Sequence, residues 1–226
     1  MNESDEFAGQ REHMVSDQIE RRGVHDPRVL EAMRAVPRHL FIPPEQRYWS
    51  YSDGALRIDM QQTISQPYIV ALMTELMELQ GDETVLEVGT GSGYQAAVLA
   101  QIAAQVHSIE RHAPLAQAAR QVLASVGVSN VQVHTGDGTL GLPEFAPYQA
   151  IMVTAAAPKV PQSLLEQLTD GGRMVIPVGG KYSQNLEVWW RKGTRFKHKT
   201  ISAVAFVPLL GDEGWREKDW KKFRFW

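Results

Sequence analysis

From Thr84 onward, short apolar runs alternate with helical periods, and that alternation limits what the chain can fold into more than any other feature. Val85-Leu86-Glu87-Val88, Val106-His107-Ser108-Ile109, Val131-Gln132-Val133-His134 and Ala150-Ile151-Met152-Val153 each have strand length. They predict strands near 84–88, 105–109, 131–134 and 149–153, with a fifth near 172–177. Helical spacing falls between them, near 93–104, 113–126 and 161–168. Strands that alternate with helices are covered on both faces, so the expected class is α/β, a doubly wound and mostly parallel sheet. Two more strands are expected near 185–192 and 199–206, as an antiparallel pair at one edge. Trp189-Trp190 in the first of these should place one ring inward and one outward.

The first 80 residues read differently. Met14, Val15 and Ile19, then Val29, Leu30 and Met33, fall at helical spacing and predict helices over 11–22 and 27–36. Asp26-Pro27 supplies an N-cap and a first-turn proline for the second helix, which Pro37 ends. Residues 45–63, with Tyr48, Trp49, Tyr51 and Gly54, lack periodicity and predict a long ordered loop. Ser65-Gln66-Pro67 predicts another helix start, with Ser65 as cap and an end near Leu79 before Gly81. No Gly/Ser/Pro linker divides the chain. It reads as one domain over 1–226, an N-terminal helical extension (1–80) followed by a Rossmann-like core (81–226).

Composition removes several function classes. Net charge is −3, so no overall basic field draws the chain to nucleic acid or a membrane surface. With no cysteine, neither disulfides nor thiolate metal sites can form, which fits a reducing cytoplasm. The start, MNESDEFAGQREH, lacks the apolar core of a signal peptide, and no apolar run reaches the ~18 residues that span a bilayer. The end, WREKDWKKFRFW, reads as a frayed or docked tail. His107, His112 and His134 do not follow a metal-ligand spacing, so no metal is expected.

The chemistry concentrates at Gly89-Thr90-Gly91-Ser92-Gly93, where a buried strand runs into a glycine turn that opens a helix. Without Cβ atoms a backbone can pass close to a ligand, and such crevices at strand ends bind ligands in open α/β sheets. A dinucleotide turn has G-x-G-x-x-G spacing; here the third glycine comes one residue early. Glu87, two residues before the turn, would oppose a phosphate but could receive a cationic amino group. S-adenosylmethionine carries an ammonium and a sulfonium and no phosphate, so the electrostatics favour it over NAD. Glu110 follows the second strand, 21 residues after Gly89, where a carboxylate can accept from both ribose hydroxyls. Asp137-Gly138 follows the third strand, where an acid could accept from the adenine amino group.

The same segments resemble the protein-L-isoaspartate (D-aspartate) O-methyltransferase family over Met14–Trp215. Val36-Pro37-Arg38-His39-Leu40-Phe41-Ile42-Pro43 is similar to its N-terminal signature. Gln62-Thr63-Ile64-Ser65-Gln66-Pro67 is similar to its active-site segment. Val85–Tyr94 is similar to its cofactor loop. Val153-Thr154-Ala155-Ala156-Ala157-Pro158, Gly171–Gly179 and Phe206-Val207-Pro208-Leu209 are similar to its later motifs. The resemblance implies the class I S-adenosylmethionine-dependent methyltransferase fold and Ser65 as the catalytic residue. It implies cofactor contacts at Gln62, Thr63, Ile64, Gly89, Gly91, Gly93, Glu110, Asp137 and Gly138, besides Glu87. Thr63, Ser65 and Val207 would meet the acceptor, an isoaspartyl peptide or protein lying along 48–65 and 206–209. Gln149 departs from the family, which often has an acid there, and is expected to shape a turn. A cytoplasmic monomer with no nucleic-acid or membrane partner completes the expectation.

Carboxyl methylation asks little of a protein. A carboxylate of pKa about 4 is already ionised at neutral pH and needs no general base. The chain has mainly to align donor and acceptor, which agrees with the lack of a Ser–His–Asp or Cys–His set. Hydroxyls of Thr63 and Ser65, at the head of a helix, can donate to the acceptor carboxylate, and the helix N-terminus favours an anion. Two other readings stay open on the residues alone: a methyltransferase of this fold with a small-molecule or nucleic-acid acceptor, and a binding module without catalysis.

Overall fold

A computed structural model describes residues 7–220. The N-terminal part comprises α1 (Ala8–His13), α2 (Pro27–Ala35), a hairpin of β1 (Leu56–Arg57) and β2 (Thr63–Ile64), and α3 (Pro67–Leu76). The helix expected over 11–22 starts at Ala8 and changes winding, to π over Met14–Ile19 and 3-10 over Glu20–Arg22. A π turn bonds i to i+5, which brings Ile19 back over Met14 and Val15, and all three are buried. Asp26 caps α2 by accepting from the Arg28 N–H at 2.9 Å, and the Arg28 guanidinium holds its carboxyl below the usual range. The α3 helix ends at Leu76 rather than Leu79. There Arg173 donates to the Leu76 carbonyl (3.2 Å) and to the Glu78 carboxylate (2.6 Å), while Glu78 takes a left-handed φ of 50°.

The remainder is one seven-stranded sheet. Strands β3 (Thr84–Val88), β4 (Gln105–Glu110), β5 (Val131–Thr135), β6 (Tyr148–Val153) and β7 (Leu168–Gly179) are parallel. Strands β8 (Gln184–Lys192) and β9 (Arg195–Val204) close one edge in antiparallel fashion, as the sequence predicts. The order is β5-β4-β3-β6-β7-β8-β9, with α4 (Tyr94–Ala100), α5 (Ala113–Ser125) and α6 (Gln162–Glu166) in the connections. The doubly wound expectation holds.

Alternation along each strand divides the core. Val85, Ala150, Met152 and Val175 face Met14, Ile19, Met33, Val70, Met73, Val98 and Leu99 on one side. Leu86, Val88, Ile151, Val153 and Ile176 face Leu164, Leu168 and Leu209 on the other. The N-terminal extension therefore shares its core with the sheet, and each fully buried aliphatic side chain contributes about 1.5–3 kcal/mol. Trp190 packs against the first cluster and Trp189 against the second, where it stacks on His198 at 4.4 Å. The two rings do point to opposite faces, but neither is the solvent side, because both faces are covered. Gln149 shapes no turn: it lies in β6, and its side-chain oxygen accepts from the Thr84 N–H at 2.8 Å. Among the described residues no helix is long and apolar enough to cross a membrane. The expected tail runs past Trp220 into residues outside those described.

Candidate active site

Strand order reverses at β3. The chain moves from β3 to β4 and β5 on one side, then returns to β6 on the other. That reversal leaves a crevice beyond the carboxyl ends of β3 and β6, where no connection covers the strand ends. Gly89 follows β3 and Thr154 follows β6, so the glycine turn and the Val-Thr-Ala-Ala-Ala-Pro segment meet there. The Thr154 hydroxyl donates to the Gly89 carbonyl at 2.6 Å, and the Gly89 N–H donates to Ile109 O at 2.8 Å. Gly89 has φ +99°, and a Cβ on it would run into the Thr154 hydroxyl.

Two connected compartments open from this point, of about 580 and 340 Å³. Thr63, Gly89, Gly91 and Thr154 line both. The larger adds Gln62, Glu110, Gly138 and Val207; the smaller adds Ile64, Ser65, Ser92 and Gln95. Residues from six separate stretches of sequence thus converge on one cleft.

Glu110 is well placed. One carboxylate oxygen accepts from the Gly91 N–H (3.0 Å) and the other from the His112 N–H (2.9 Å). A carboxylate has about four lone-pair directions, so each oxygen keeps one for a ribose hydroxyl. Asp137 is different. Its Oδ1 accepts from the Thr139 N–H and hydroxyl (2.9 and 2.7 Å), and its Oδ2 from the Asp212 N–H (2.8 Å). The carboxylate is spent on holding the 209–215 turn against the end of β5, and it does not line the cleft. Gly138 does line it, and a Cβ there would sit 2.5 Å from Val88 Cγ1. The Ala156 N–H donates to Val207 O (2.8 Å) and the Leu209 N–H to Ala156 O (2.9 Å), so residues 207–209 form one wall of the cleft.

Glu87 departs furthest from expectation. It is 0% exposed, lines neither compartment, and accepts from the Ser108 hydroxyl inside the sheet. Ser108 in turn bonds the Thr90 hydroxyl at 2.5 Å. Burial pushes the Glu87 carboxyl up to about 8, against the lowering effect of Ser108. A neutral, enclosed acid does not take the ammonium directly, because strand alternation turns residue 87 into the core while the turn begins two residues later. The folded pKa lies above the ordinary 4.5, so the folded state holds a proton that the unfolded chain loses between pH 4.5 and 8. Stability from this group is complete below 4.5 and declines as pH rises through 8. Glu87→Gln should therefore gain in Tm over the parent progressively between those pH values, with adenosylhomocysteine affinity nearly unchanged. Calorimetry across pH checks this; a gap that is flat with pH would mean that Glu87 is ionised when folded.

The hairpin carries the active-site segment. Leu56 pairs with Ile64 and Arg57 with Thr63, and the connecting turn holds Met60 and Gln61 at φ 56° and 58°. Left-handed backbone at non-glycine residues costs about 1–3 kcal/mol each and collects at functional sites. Ser65 does not cap α3: the cap position is Gln66, without a side-chain bond. The serine lies one residue further out, half-buried on the smaller compartment, and its hydroxyl is not committed to the helix. Its carbonyl accepts from Arg38 at 2.7 Å.

Thr154 and Arg38 hold the site together without any local sequence signal of that role, although both lie in the motifs Val153–Pro158 and Val36–Pro43. Among the described residues no cluster of His, Asp and Glu could hold a metal. His107 and His134 bond each other at 3.2 Å; His107 stacks on Phe145 and His134 meets the same ring at a tilt, and neither histidine lines the cleft. His39 bonds the Tyr51 hydroxyl at 2.8 Å and stacks on Phe7.

Comparison with known proteins agrees with this geometry. The family model described as protein-L-isoaspartate(D-aspartate) O-methyltransferase matches residues 9–214. A protein-L-isoaspartate O-methyltransferase of Methanoregula boonei is 55% identical over 91% of this chain and 95% of its own. Protein-L-isoaspartate O-methyltransferase 1 of Syntrophobacter fumaroxidans is 53% identical over 92% and 98%. A solved protein-L-isoaspartate O-methyltransferase superposes with TM-score 0.81 at 30% identity, covering 90% of this chain and 67% of the other. A Plasmodium falciparum structure, titled as a putative enzyme of the same name in complex with S-adenosyl-L-homocysteine, shares the fold at TM-score 0.76 and 23% identity, over 88% and 98%. With the match spanning nearly the whole chain, and the glycine turn, Glu110 and the Thr63–Ser65 hairpin gathered at one switch point, the chain belongs to the protein-L-isoaspartate(D-aspartate) O-methyltransferase family.

Proposed function

We propose that this chain transfers the methyl group of S-adenosylmethionine to the free carboxylate of L-isoaspartyl residues in damaged proteins and peptides, with D-aspartyl residues as a second acceptor. The carrying observation is the Ser65 hydroxyl, not committed to the helix, just after a strained hairpin and beside the glycine turn, with no histidine or carboxylate among the described residues that line its compartment. The site residues fit the donor. Gly89 leaves the space a Cβ would fill, and Glu110 keeps acceptor capacity for a ribose. Gln62, Thr63 and Ile64 close the cleft from the hairpin side, Gly91 from the turn and Gly138 from the end of β5. Gly93 acts through the turn itself: at φ +87° it precedes α4, and a Cβ there would press on Ala119 at 3.4 Å.

Bound S-adenosylmethionine supplies an electrophilic methyl on a sulfonium leaving group. The chain's own part is orientation. Ser65 and Thr63 donate to the acceptor carboxylate and direct one oxygen toward the junction of the compartments. Val207, with residues 208–210, walls the larger compartment on the side away from the hairpin. The acceptor backbone runs along 48–65, where Tyr48 and Trp49 are exposed. The methyl ester formed then loses methanol to attack by the following backbone nitrogen. The resulting succinimide opens with water to aspartyl or isoaspartyl product. The expected setting is the cytoplasm and the expected state a monomer, which sedimentation would check.

Labelled S-adenosylmethionine, with peptides carrying Asp or isoAsp at one position, tests the reading. Base-labile label should enter only the isoAsp peptide. Equal labelling of both peptides, or of neither, would overturn it. Transfer to RNA with steep salt dependence would instead mark a nucleic-acid acceptor.

A further inference from the structure

Arg38 is the largest fully buried side chain described, at 0% exposure. It forms no ion pair among the described residues, and its Nη1 has no hydrogen-bond partner there. Its other contacts are specific. Nε donates to Ser50 O at 2.8 Å and Nη2 to Ser65 O at 2.7 Å. The guanidinium lies 4.8 Å over the ring of Tyr94, the first residue of the helix that leaves the glycine turn.

A buried cation without a counter-ion is costly, and an apolar side chain could fill the space at less cost. Two things distinguish the guanidinium. Its rigid fork joins two carbonyls 15 residues apart in sequence, fixing the Ser65 peptide plane relative to the 44–50 turn and to the start of α4. It also leaves a positive charge in a low-dielectric interior one peptide group from the serine, where an anion is attracted most strongly. Burial lowers its pKa to about 10, so the group remains protonated at neutral pH.

We infer that Arg38 is a positioning residue of the acceptor site: it sets the direction of the Ser65 hydroxyl through the backbone and supplies the field that selects a carboxylate acceptor over a neutral one. This rests on the carboxyl-methylation reading, which the Asp/isoAsp labelling of the unaltered protein tests separately.

The test compares Arg38→Met and Arg38→Lys with the parent. It reads kcat on an isoAsp peptide, adenosylhomocysteine Kd by calorimetry, and the ratio of inhibition constants for an isoAsn peptide (amide in place of carboxylate) and an ester-resistant isoAsp analogue. Arg38→Met should lower kcat about 100-fold, as misplacement of a reacting group does. It should also shrink the preference for the carboxylate analogue about 10-fold, with adenosylhomocysteine Kd held within about threefold. Arg38→Lys keeps the charge but not the fork, so kcat should fall while the carboxylate preference survives. If Arg38→Met does not fold, the lysine variant decides: unchanged kcat, or lost preference, overturns the inference. Parallel loss of adenosylhomocysteine and peptide affinity in either variant would reduce Arg38 to a packing role and overturn it as well.

Discussion

Ser65→Ala should lower kcat on an isoaspartyl peptide by about 100-fold or more, while the Kd for adenosylhomocysteine stays within about threefold of the parent. The size follows from losing one preorganised donor at a charged reacting group, typically worth 10²–10³ in rate. The selectivity follows from geometry. Ser65 lines the smaller compartment and not the one that holds Glu110 and Gly138. Its hydroxyl does not cap α3, so the alanine variant loses no helix-capping bond and its Tm should move little. Steady-state kinetics, calorimetry and a thermal scan on one preparation measure all three. A variant with undiminished kcat would remove Ser65 from the reaction, and one with a large Tm loss would make it structural.

Gly89→Ala should abolish measurable cofactor binding and destabilise the protein by about 2–4 kcal/mol, since two costs combine. A φ of +99° is strained for any L side chain. The added methyl would also collide with the Thr154 hydroxyl, whose bond to the Gly89 carbonyl ties β3 to β6. Relief by moving Thr154 opens the crevice that the ligand needs. Denaturant unfolding gives the first quantity and adenosylhomocysteine titration the second. Gly171→Ala is the control: it also has positive φ (+80°), but open space surrounds it and it lies away from the cleft, so only stability should fall.

The parallel sheet was legible because Val85–Val88, Val106–Ile109 and Ala150–Val153 each place apolar residues on both faces, as strands covered on both sides do. The glycine turn was legible because positive φ and close approach leave little choice of residue. The 45–63 stretch was not. Met60 and Gln61 carry no turn signature, yet both are left-handed and set the hairpin that delivers Thr63. Nothing local favours that conformation; packing around it imposes it. Arg38 was equally opaque, since a lone arginine in a run of prolines and apolar residues reads as surface.

The three acids show where the division lies. Sequence alone determined which strand each acid closes, and so its nearness to the cleft, because chain order in a doubly wound sheet sets the neighbours of each strand end. Only the tertiary structure decided what each acid does there. The direction of a side chain depends on the pleat, and its protonation on what surrounds it. Glu87 turns inward to Ser108 and stays neutral, Asp137 is drawn onto the 209–215 turn, and Glu110 alone faces the cleft with capacity to spare. Burial and partnering arise between segments distant in sequence, and these set the chemistry of a carboxyl group.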